Sequence, residues 1–363
     1  MTTPPHLDAA QSASPREIDA LRRALALAVS PEVPLHPNPR VGCVLLADDG
    51  TVVGEGFHHG AGTPHAEVEA LAVAGDRARG TTAVVTLEPC NHTGRTGPCA
   101  QALIAAGVRR VVAAQRDPNP LAEGGAATLR AAGIEVVVDA LAEEAEAINP
   151  AWTFAHRHAR PFVTWKFAAT LDGRSAAADG TSQWITSLPA RRDTHRLRAL
   201  ADTMLVGTGT VVDDDPRLTV RDAADRPLAT QPLRVVMGER DLPSSARVFG
   251  TDDGATPALH LRTRDPLAAL RALYAEHDRH HVFLEGGPRL AAAFVTAGLV
   301  DEVVAYLAPA LLGAGASAIA DLGIATVADT LRLRLLDTAV VGEGAEAVVR
   351  LTLRTTPTTK GDH

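Results

Sequence analysis

Along most of its length the chain alternates short apolar segments of strand length with longer stretches of helical periodicity. That alternation restricts it to α/β architectures, in which helices cover a partly parallel sheet. Ser14-Pro15-Arg16-Glu17 reads as a capping box with proline at the first helical position, so a helix is expected from there to about Val29. Val41–Ala47 and Thr51–Gly56 flank Asp48-Asp49-Gly50 and predict a hairpin. Helices from about His65 to Arg77, from about Pro98 to Ala106 and near Ala126–Ala132 then alternate with strands Ala83–Leu87, Val108–Ala114 and Ile134–Val138. Asn149-Pro150 halts the Ala-rich acidic stretch Leu141–Ala147, which sets an expected division into residues 1–147 and 148–363. A second series follows, with strands Phe162–Ala168, Thr203–Val206, Leu233–Met237, His281–Glu285 and Val303–Leu307, and a closing antiparallel pair within Leu331–Leu353.

The 363 residues suffice to bury two cores. Only 3% are aromatic, which argues against a protein that stacks single-stranded bases on exposed rings. Net charge is −8, and residues 1–146 hold 11 Arg and no Lys against 18 acidic residues, so a polyanion finds no basic surface there. Three cysteines, Cys43, Cys90 and Cys99, make no disulfide framework and point to a reducing compartment. Arg22-Arg23 followed by Ala24–Val29 falls short of a signal peptide's apolar core of roughly 7–15 residues, and no stretch approaches the roughly 20 that span a membrane. The expectation is a soluble cytoplasmic protein with no nucleic-acid or membrane partner. A homo-oligomer is compatible with the sequence.

His65-Ala66-Glu67 opens one expected helix, and Pro89-Cys90 and Pro98-Cys99 bracket the start of another. One imidazole and two thiolates give three ligands and an open fourth position, the pattern of a catalytic zinc site, with Glu67 as proton carrier. At about 100° per residue, positions two apart in a helix interior point roughly 200° apart, so His65 and Glu67 can share a site only at a helix mouth. The break at Thr63-Pro64 puts them there. Taken singly, each residue reads more simply as a buried thiol or a helix-terminal histidine. Together they follow the order H-x-E…P-C…C of zinc nucleobase deaminases. Cys43, in an apolar strand, is expected in the core.

Eight residues separate Cys90 from Cys99, where cytidine deaminases usually have two. With His65–Leu71, Thr86-Leu87-Glu88-Pro89-Cys90, Asn38-Pro39-Arg40-Val41-Gly42 and Gly54-Glu55-Gly56-Phe57-His58, the first half closely resembles the deaminase half of the bifunctional riboflavin-biosynthesis deaminase/reductase family. The resemblance covers nearly the whole chain beyond the N-terminal tail. It implies a cytidine-deaminase-like α/β/α sandwich followed by a dihydrofolate-reductase-like α/β domain. It further implies that Asn38, His58, His92 and Arg95 contact pyrimidine and ribose phosphate, chemistry suited to amide, imidazole and guanidinium groups. Asn91 and Arg95 stand where relatives often carry Ser and Lys.

In the second half, Lys166 is one of only two lysines, the other being Lys360, beside 33 arginines. From the residues alone it is equally a surface lysine with its stem on Trp165. Gly207-Thr208-Gly209-Thr210 follows an apolar run but fails the G-x-G-x-x-G fingerprint, since Val212 holds the third glycine position. Glu285-Gly286-Gly287-Pro288 sits between a strand and a helix, where it reads either as a tight turn or as a pyrophosphate cradle. Asp213-Asp214-Asp215-Pro216 lacks the ligand spacing of a calcium loop. Lys166–Arg174 and Ser182–Ser187 resemble the family's reductase half. By that resemblance Ala168, Trp184, Thr210, Asp214, Gly287, Pro288, Arg289, Leu290, Ala291, Ala292 and Ala293 line an NADPH site. Ser182, Arg198, Leu218, Arg221 and Glu285 hold the substrate, with the two arginines as a phosphate clamp, and Lys166 is catalytic.

The implied function is two consecutive steps toward riboflavin, with one Zn2+ per chain and NADPH as cofactors. The first deaminates 2,5-diamino-6-ribosylamino-4(3H)-pyrimidinone 5′-phosphate by hydrolysis, with Glu67 shuttling protons. The second reduces the ribosyl side chain to ribityl. Two other readings are weighed: a zinc deaminase of nucleosides or tRNA with a non-catalytic second domain, and a nucleotide-binding regulatory module without catalysis. The eight-residue cysteine gap and the acidic first half count against the former, and the intact His65, Glu67, Cys90 and Cys99 against the latter.

Overall fold

The computed structural model describes residues 12–30, 36–92, 97–251 and 256–355, which divide into two compact units, Met1–His158 and Ala159–His363. In the first, helix α1 (Pro15–Ala28) starts at the expected capping box. Ser14 Oγ accepts the Glu17 N–H at 3.4 Å, and the Glu17 carboxylate accepts the Ser14 N–H at 2.7 Å. The same carboxylate accepts from Arg110 at 2.7 Å, so the cap also ties α1 to the sheet.

Strands β1 (Gly42–Leu46) and β2 (Val52–Phe57) form the expected hairpin. With β3 (Thr82–Leu87), β4 (Arg110–Gln115) and β5 (Glu135–Val137) they make a sheet in the order β2-β1-β3-β4-β5, antiparallel around β1 and parallel from β3 to β5. Because side chains alternate along a strand, Cys43, Leu45, Val85 and Val111 pack toward α2 (Ala66–Ala74), α3 (Cys99–Ala105) and α4 (Gly125–Ala131). Val44, Val84, Val112 and Ala114 pack the opposite way, on α1 and α5 (Ala142–Ile148). The result is the expected α/β/α sandwich. Helix α6 (Pro150–His158) adds to it: Trp152 joins the first core, and Thr153 Oγ1 accepts from Gln115 at 3.1 Å. Asn149-Pro150 therefore parts two helices of one unit, and the compact unit runs on to His158.

The second unit carries an eight-stranded sheet in the order β12-β13-β11-β6-β10-β7-β8-β9. Its strands are β6 (Phe162–Thr170), β7 (Thr203–Gly207), β8 (Leu233–Met237), β9 (Leu259–Leu261), β10 (His281–Leu284), β11 (Glu302–Ala308), β12 (Leu333–Val341) and β13 (Val348–Thr355). From β11 to β9 neighbours run parallel, and β12 and β13 close the other edge as the expected antiparallel pair. Helices α7 (Leu188–Arg198), α8 (Thr208–Asp214), α9 (Pro266–His277) and α10 (Pro288–Thr296) connect the strands. Trp165, Leu205 and Leu284 face α9 and α10, while Met204, Val206 and Phe283 face a second core with Val211 and Leu218. Among the described residues no helix is long and apolar enough to cross a membrane.

Two glycines of the Gly54–His58 motif set how closely α2 lies on β2. A Cβ at Gly54 would fall 2.3 Å from Ala70 O, and one at Gly56 would fall 2.6 Å from both Ala66 O and Ala70 N. These neighbours are helix backbone, so they yield only if the helix moves. Gly56→Ala is expected to destabilise the first unit by about 1–3 kcal/mol, the usual cost of overpacking. A thermal unfolding midpoint equal to wild type would show that α2 has slack.

Candidate active sites

His65 is the N-cap of α2, at φ −75° and ψ 161°, with Glu67 in the first turn. Pro98 caps α3, and Cys99 is its first residue. Cys90 follows β3 in the loop facing that helix, where its sulfur accepts the Cys99 N–H at 3.4 Å. His65 Nδ1 lies 3.2 Å from Cys99 Sγ and 3.5 Å from Cys90 Sγ, and the three ligand atoms all fall within 4.8 Å of one another. Both thiols are buried. Hydrogen bonds from Cys99 and His65 pull the Cys90 thiol well below its ordinary range. That favours one thiolate, and the hydrogen bond with Cys90 raises the His65 imidazolium. Two soft sulfurs and an imidazole converging from helix and loop ends fit a zinc ion with an open position. Glu67 is 3% exposed, and burial pushes its carboxyl up. Cys43 sits in the core as expected.

The Asn38 amide meets His58 Nε2 at 2.8 Å, and His58 Nδ1 donates to Pro64 O at 3.0 Å. With Nδ1 donating to Pro64 O, Nε2 accepts from the Asn38 amide nitrogen, and burial lowers the His58 pKa. The His58 and His65 ring centroids are 5.3 Å apart, which brings Asn38 and His58 beside the ligand cluster. His92 is exposed, and Arg95 lies outside the described residues. Glu88 and Asp117 carry structure that sequence reasoning missed. Glu88 Oε1 accepts the Ala126 N–H at 2.9 Å, and its other oxygen accepts the Asp117 N–H at 3.3 Å. Burial pushes Asp117 up to about 7. Glu88 stands in the Thr86–Cys90 motif, which was its only signal.

In the second unit the carboxyl ends of β6, β10 and β7 lie side by side. Ligands of open parallel sheets bind at such ends. Arg198, the last residue of α7, grips Glu285 with two hydrogen bonds of 2.6 and 2.8 Å and donates to Thr219 O at 3.3 Å. Lys166 lies with Nζ 5.7 Å from the centroid of the Tyr306 ring, whose Oη donates to Asp193 at 2.7 Å. Burial opposes the Glu285 charge, but Arg198 and Lys166 outweigh it and hold the carboxyl at about 2. Burial also lowers the Lys166 ammonium, with Glu285 pulling the other way. Arg221 donates to Asp225 O at 2.9 Å. Between these charges sits His195, held near 4 by burial and Arg198, with Nδ1 buried and lacking a hydrogen-bond partner among the described residues. The run Arg191–Arg198 reads as a solvated face, which hid both His195 and the Arg198–Glu285 pair. Leu218 is buried at φ 56°.

The two glycine turns meet because β10 and β7 are neighbours: a Cβ at Gly287 would lie 3.9 Å from Thr210 Oγ1. Gly287 caps α10, with Pro288 at its first position and Arg289 exposed. Leu290 packs on the second unit's core, Ala291 and Ala292 are buried, and Ala293 is half-buried. Ala168 is half-buried on β6, and Asp214 ends α8 exposed. Ser182 and Trp184 lie in the loop before α7, where the guanidinium of Arg191 covers the exposed indole at 4.1 Å.

Residues 16–115 match the cytidine and deoxycytidylate deaminase zinc-binding region, and residues 161–346 the RibD C-terminal domain, more than half of the chain. The chain is 47% identical over 332 residues to the riboflavin biosynthesis protein RibD of Mycobacterium tuberculosis, covering 90% of this chain and 96% of that one. It is 42% identical over 354 residues to RibD of Escherichia coli, covering 89% and 96%. The RibD structure of Acinetobacter baumannii superposes with a TM-score of 0.83 at 37% identity, covering 94% of this chain and 99% of that one. A Thermotoga maritima diaminohydroxyphosphoribosylaminopyrimidine deaminase/5-amino-6-(5-phosphoribosylamino)uracil reductase does so with 0.77 at 32%, over the same shares. The chain belongs to the family of bifunctional riboflavin-biosynthesis deaminase/reductases, with a zinc hydrolase half and an NADPH-dependent oxidoreductase half.

Proposed function

We propose that His65, Cys90 and Cys99 hold the zinc, that Glu67 is the proton carrier of the deaminase and that Lys166 is a catalytic residue of the reductase. The observation that carries the first part is the convergence of three ligand atoms within 4.8 Å, with a buried carboxyl alongside. Zinc bound there supplies a water that is nucleophilic at neutral pH. Glu67 takes two protons from the attacking water in turn and passes the first to the ring nitrogen and the second to the amine, which leaves as ammonia. The overall change replaces the amino group of 2,5-diamino-6-ribosylamino-4(3H)-pyrimidinone 5′-phosphate by oxygen and releases ammonia. Asn38, His58, His92 and Arg95 contact the pyrimidine and the ribose phosphate.

In the reductase, NADPH supplies the hydride. Lys166 polarises the ring-opened sugar carbonyl or its imine precursor, and Glu285, fixed by Arg198, sets the charge around it. Ser182, Leu218 and Arg221 complete the substrate side. Ala168, Trp184, Thr210, Asp214 and the segment Gly287–Ala293 line the cofactor side. Three free cysteines are consistent with a cytoplasmic setting, and the net charge of −8 with a small-molecule rather than a nucleic-acid partner. Edge strand β12 exposes Leu335 and Val340, which supports pairing with a second copy.

Glu67→Gln is expected to keep stoichiometric zinc and lose at least the roughly 10²–10⁴-fold that acid–base catalysis contributes, with reduction of predeaminated substrate intact. Cys90→Ser is expected to lose the metal itself. Ammonia release, metal analysis and NADPH consumption on the full chain separate these outcomes, and near-normal deamination by Glu67→Gln would remove it from the mechanism.

Lys166→Arg and Lys166→Ala are both expected to lower reductase turnover by at least about tenfold, roughly 1.4 kcal/mol of barrier, without touching deamination. Wild-type reduction by Lys166→Arg would leave only positive charge, or nothing, at this position.

Glu285→Gln leaves Arg198 and Lys166 uncompensated, and about 3 kcal/mol of stability is expected to go with it. The folded carboxyl, at about 2, lies below its ordinary 4.5, so its contribution is complete above 4.5 and fades as pH falls toward 2. Chemical unfolding of both proteins across that window is expected to show the gap narrowing. A gap independent of pH contradicts the ion-pair account.

A further inference from the structure

The helix break between α5 and α6 does more than end a helix. Asn149 Oδ1 accepts the Arg40 N–H at 2.8 Å while its Nδ2 donates to the Arg40 carbonyl at 2.9 Å, across 109 residues of sequence. The side-chain amide thus pairs with a peptide unit as a neighbouring strand would. Arg40 belongs to the segment that leads into β1. Two further bonds anchor that segment: the Gly42 N–H donates to Thr86 Oγ1 at 3.1 Å, and the His58 N–H donates to Val41 O at 2.9 Å.

Asn38 lies just before this clamped stretch. Pro39 fixes φ between Asn38 and Arg40 near −65°, so holding both polar groups of Arg40 also sets the direction from which Asn38 projects. One amide N–H of Asn38 is spent on His58 at 2.8 Å. An amide has two N–H donors and a carbonyl acceptor, so among the described residues one donor and the acceptor stay available to a ligand edge. Their aim depends on the backbone that Asn149 holds.

We propose that Asn149 is a positioning residue of the deaminase, acting through Arg40 to aim the Asn38 amide at the pyrimidine. The proposal rests on the reading of Asn38 as a substrate contact. The Asn149 side chain bonds Arg40 and, among the described residues, none of His65, Cys90 and Cys99, so its loss is expected in substrate affinity rather than in metal content.

The test uses the full chain with Asn149→Asp and Asn149→Ser, alone and combined with Asn38→Ala. Aspartate keeps the acceptor for the Arg40 N–H and loses the donor to the Arg40 carbonyl, and serine loses the reach of both. Each single variant at 149 is expected to raise the deaminase KM for the diaminopyrimidine phosphate about tenfold, because small misplacements of a binding group are costly. The expected kcat changes less, zinc stays stoichiometric and reduction of predeaminated substrate is unaltered. On the Asn38→Ala background the further effect of Asn149→Asp is expected to vanish, as for residues acting through one contact. A lowered melting temperature with unchanged KM in the variant that folds, or effects that simply add, would overturn the proposal. Asn38→Ala with a wild-type KM would instead overturn the reading of Asn38, and the proposal with it.

Discussion

A histidine and a glutamate two positions apart can serve the same centre only where a helix begins, and the first unit is arranged around that requirement. His65 must stay extended while Glu67 is already helical, so the start of α2 has to fall at Ala66. Gly54 and Gly56 let α2 settle onto β2 at backbone contact, which fixes the helix axis. Pro64, just ahead, offers its carbonyl to His58. The opposite wall is set in the same way: a Cβ at Gly125 would fall 1.7 Å from Pro89 O, so α4 closes directly on the loop that carries Cys90. Close backbone approach, rather than long side chains, therefore determines where the ligands stand.

The second unit meets a different constraint, that of holding three charged side chains, Lys166, Arg198 and Glu285, in a half-buried setting. Arg198 and Glu285 neutralise each other through a bidentate pair, which leaves the ammonium of Lys166 as the remaining charge of the three. The Tyr306 ring beneath Lys166 is held by Asp193, and Asp193 also accepts from Arg350 at 2.9 Å. A buried carboxylate between two cations is expensive to form alone and costly to unpair, so the three residues stand or fall together.

What the sequence made legible were local signals. The capping box at Ser14, the helix mouth at His65 and the glycine turns at Gly207 and Gly287 depend on residues within a few positions of one another, and the structure has each of them. The family resemblance then supplied the pairing of the two halves. Long-range partnerships stayed hidden. Asn149 reads as a helix breaker, yet its amide closes on Arg40. Trp152 lies past that break and still buries itself in the first core. Arg198 sits in an arginine-rich run that resembles a wet helix face, and only the return of β10 brings Glu285 to it. Strand β9, with three residues at the sheet edge, is too short for any periodicity to mark.

Both units contain a joint at which a strand with a parallel neighbour hands over to the first turn of a helix, after β3 in the first and after β7 and β10 in the second. The joint exposes backbone N–H groups that no helical carbonyl takes up, and negative charge is favoured beside them. In the first unit a sulfur occupies that position, with the Cys99 N–H donating to Cys90. In the second, the turns after β7 and β10 carry Gly207 and Gly287 at the caps, with no side-chain cap hydrogen bond at either among the described residues. The cap side of each joint accepts only small or extended residues. That is why the residues most telling in the sequence were Pro, Gly, Cys and His at helix starts, while the charged residues that tune them came from elsewhere in the chain.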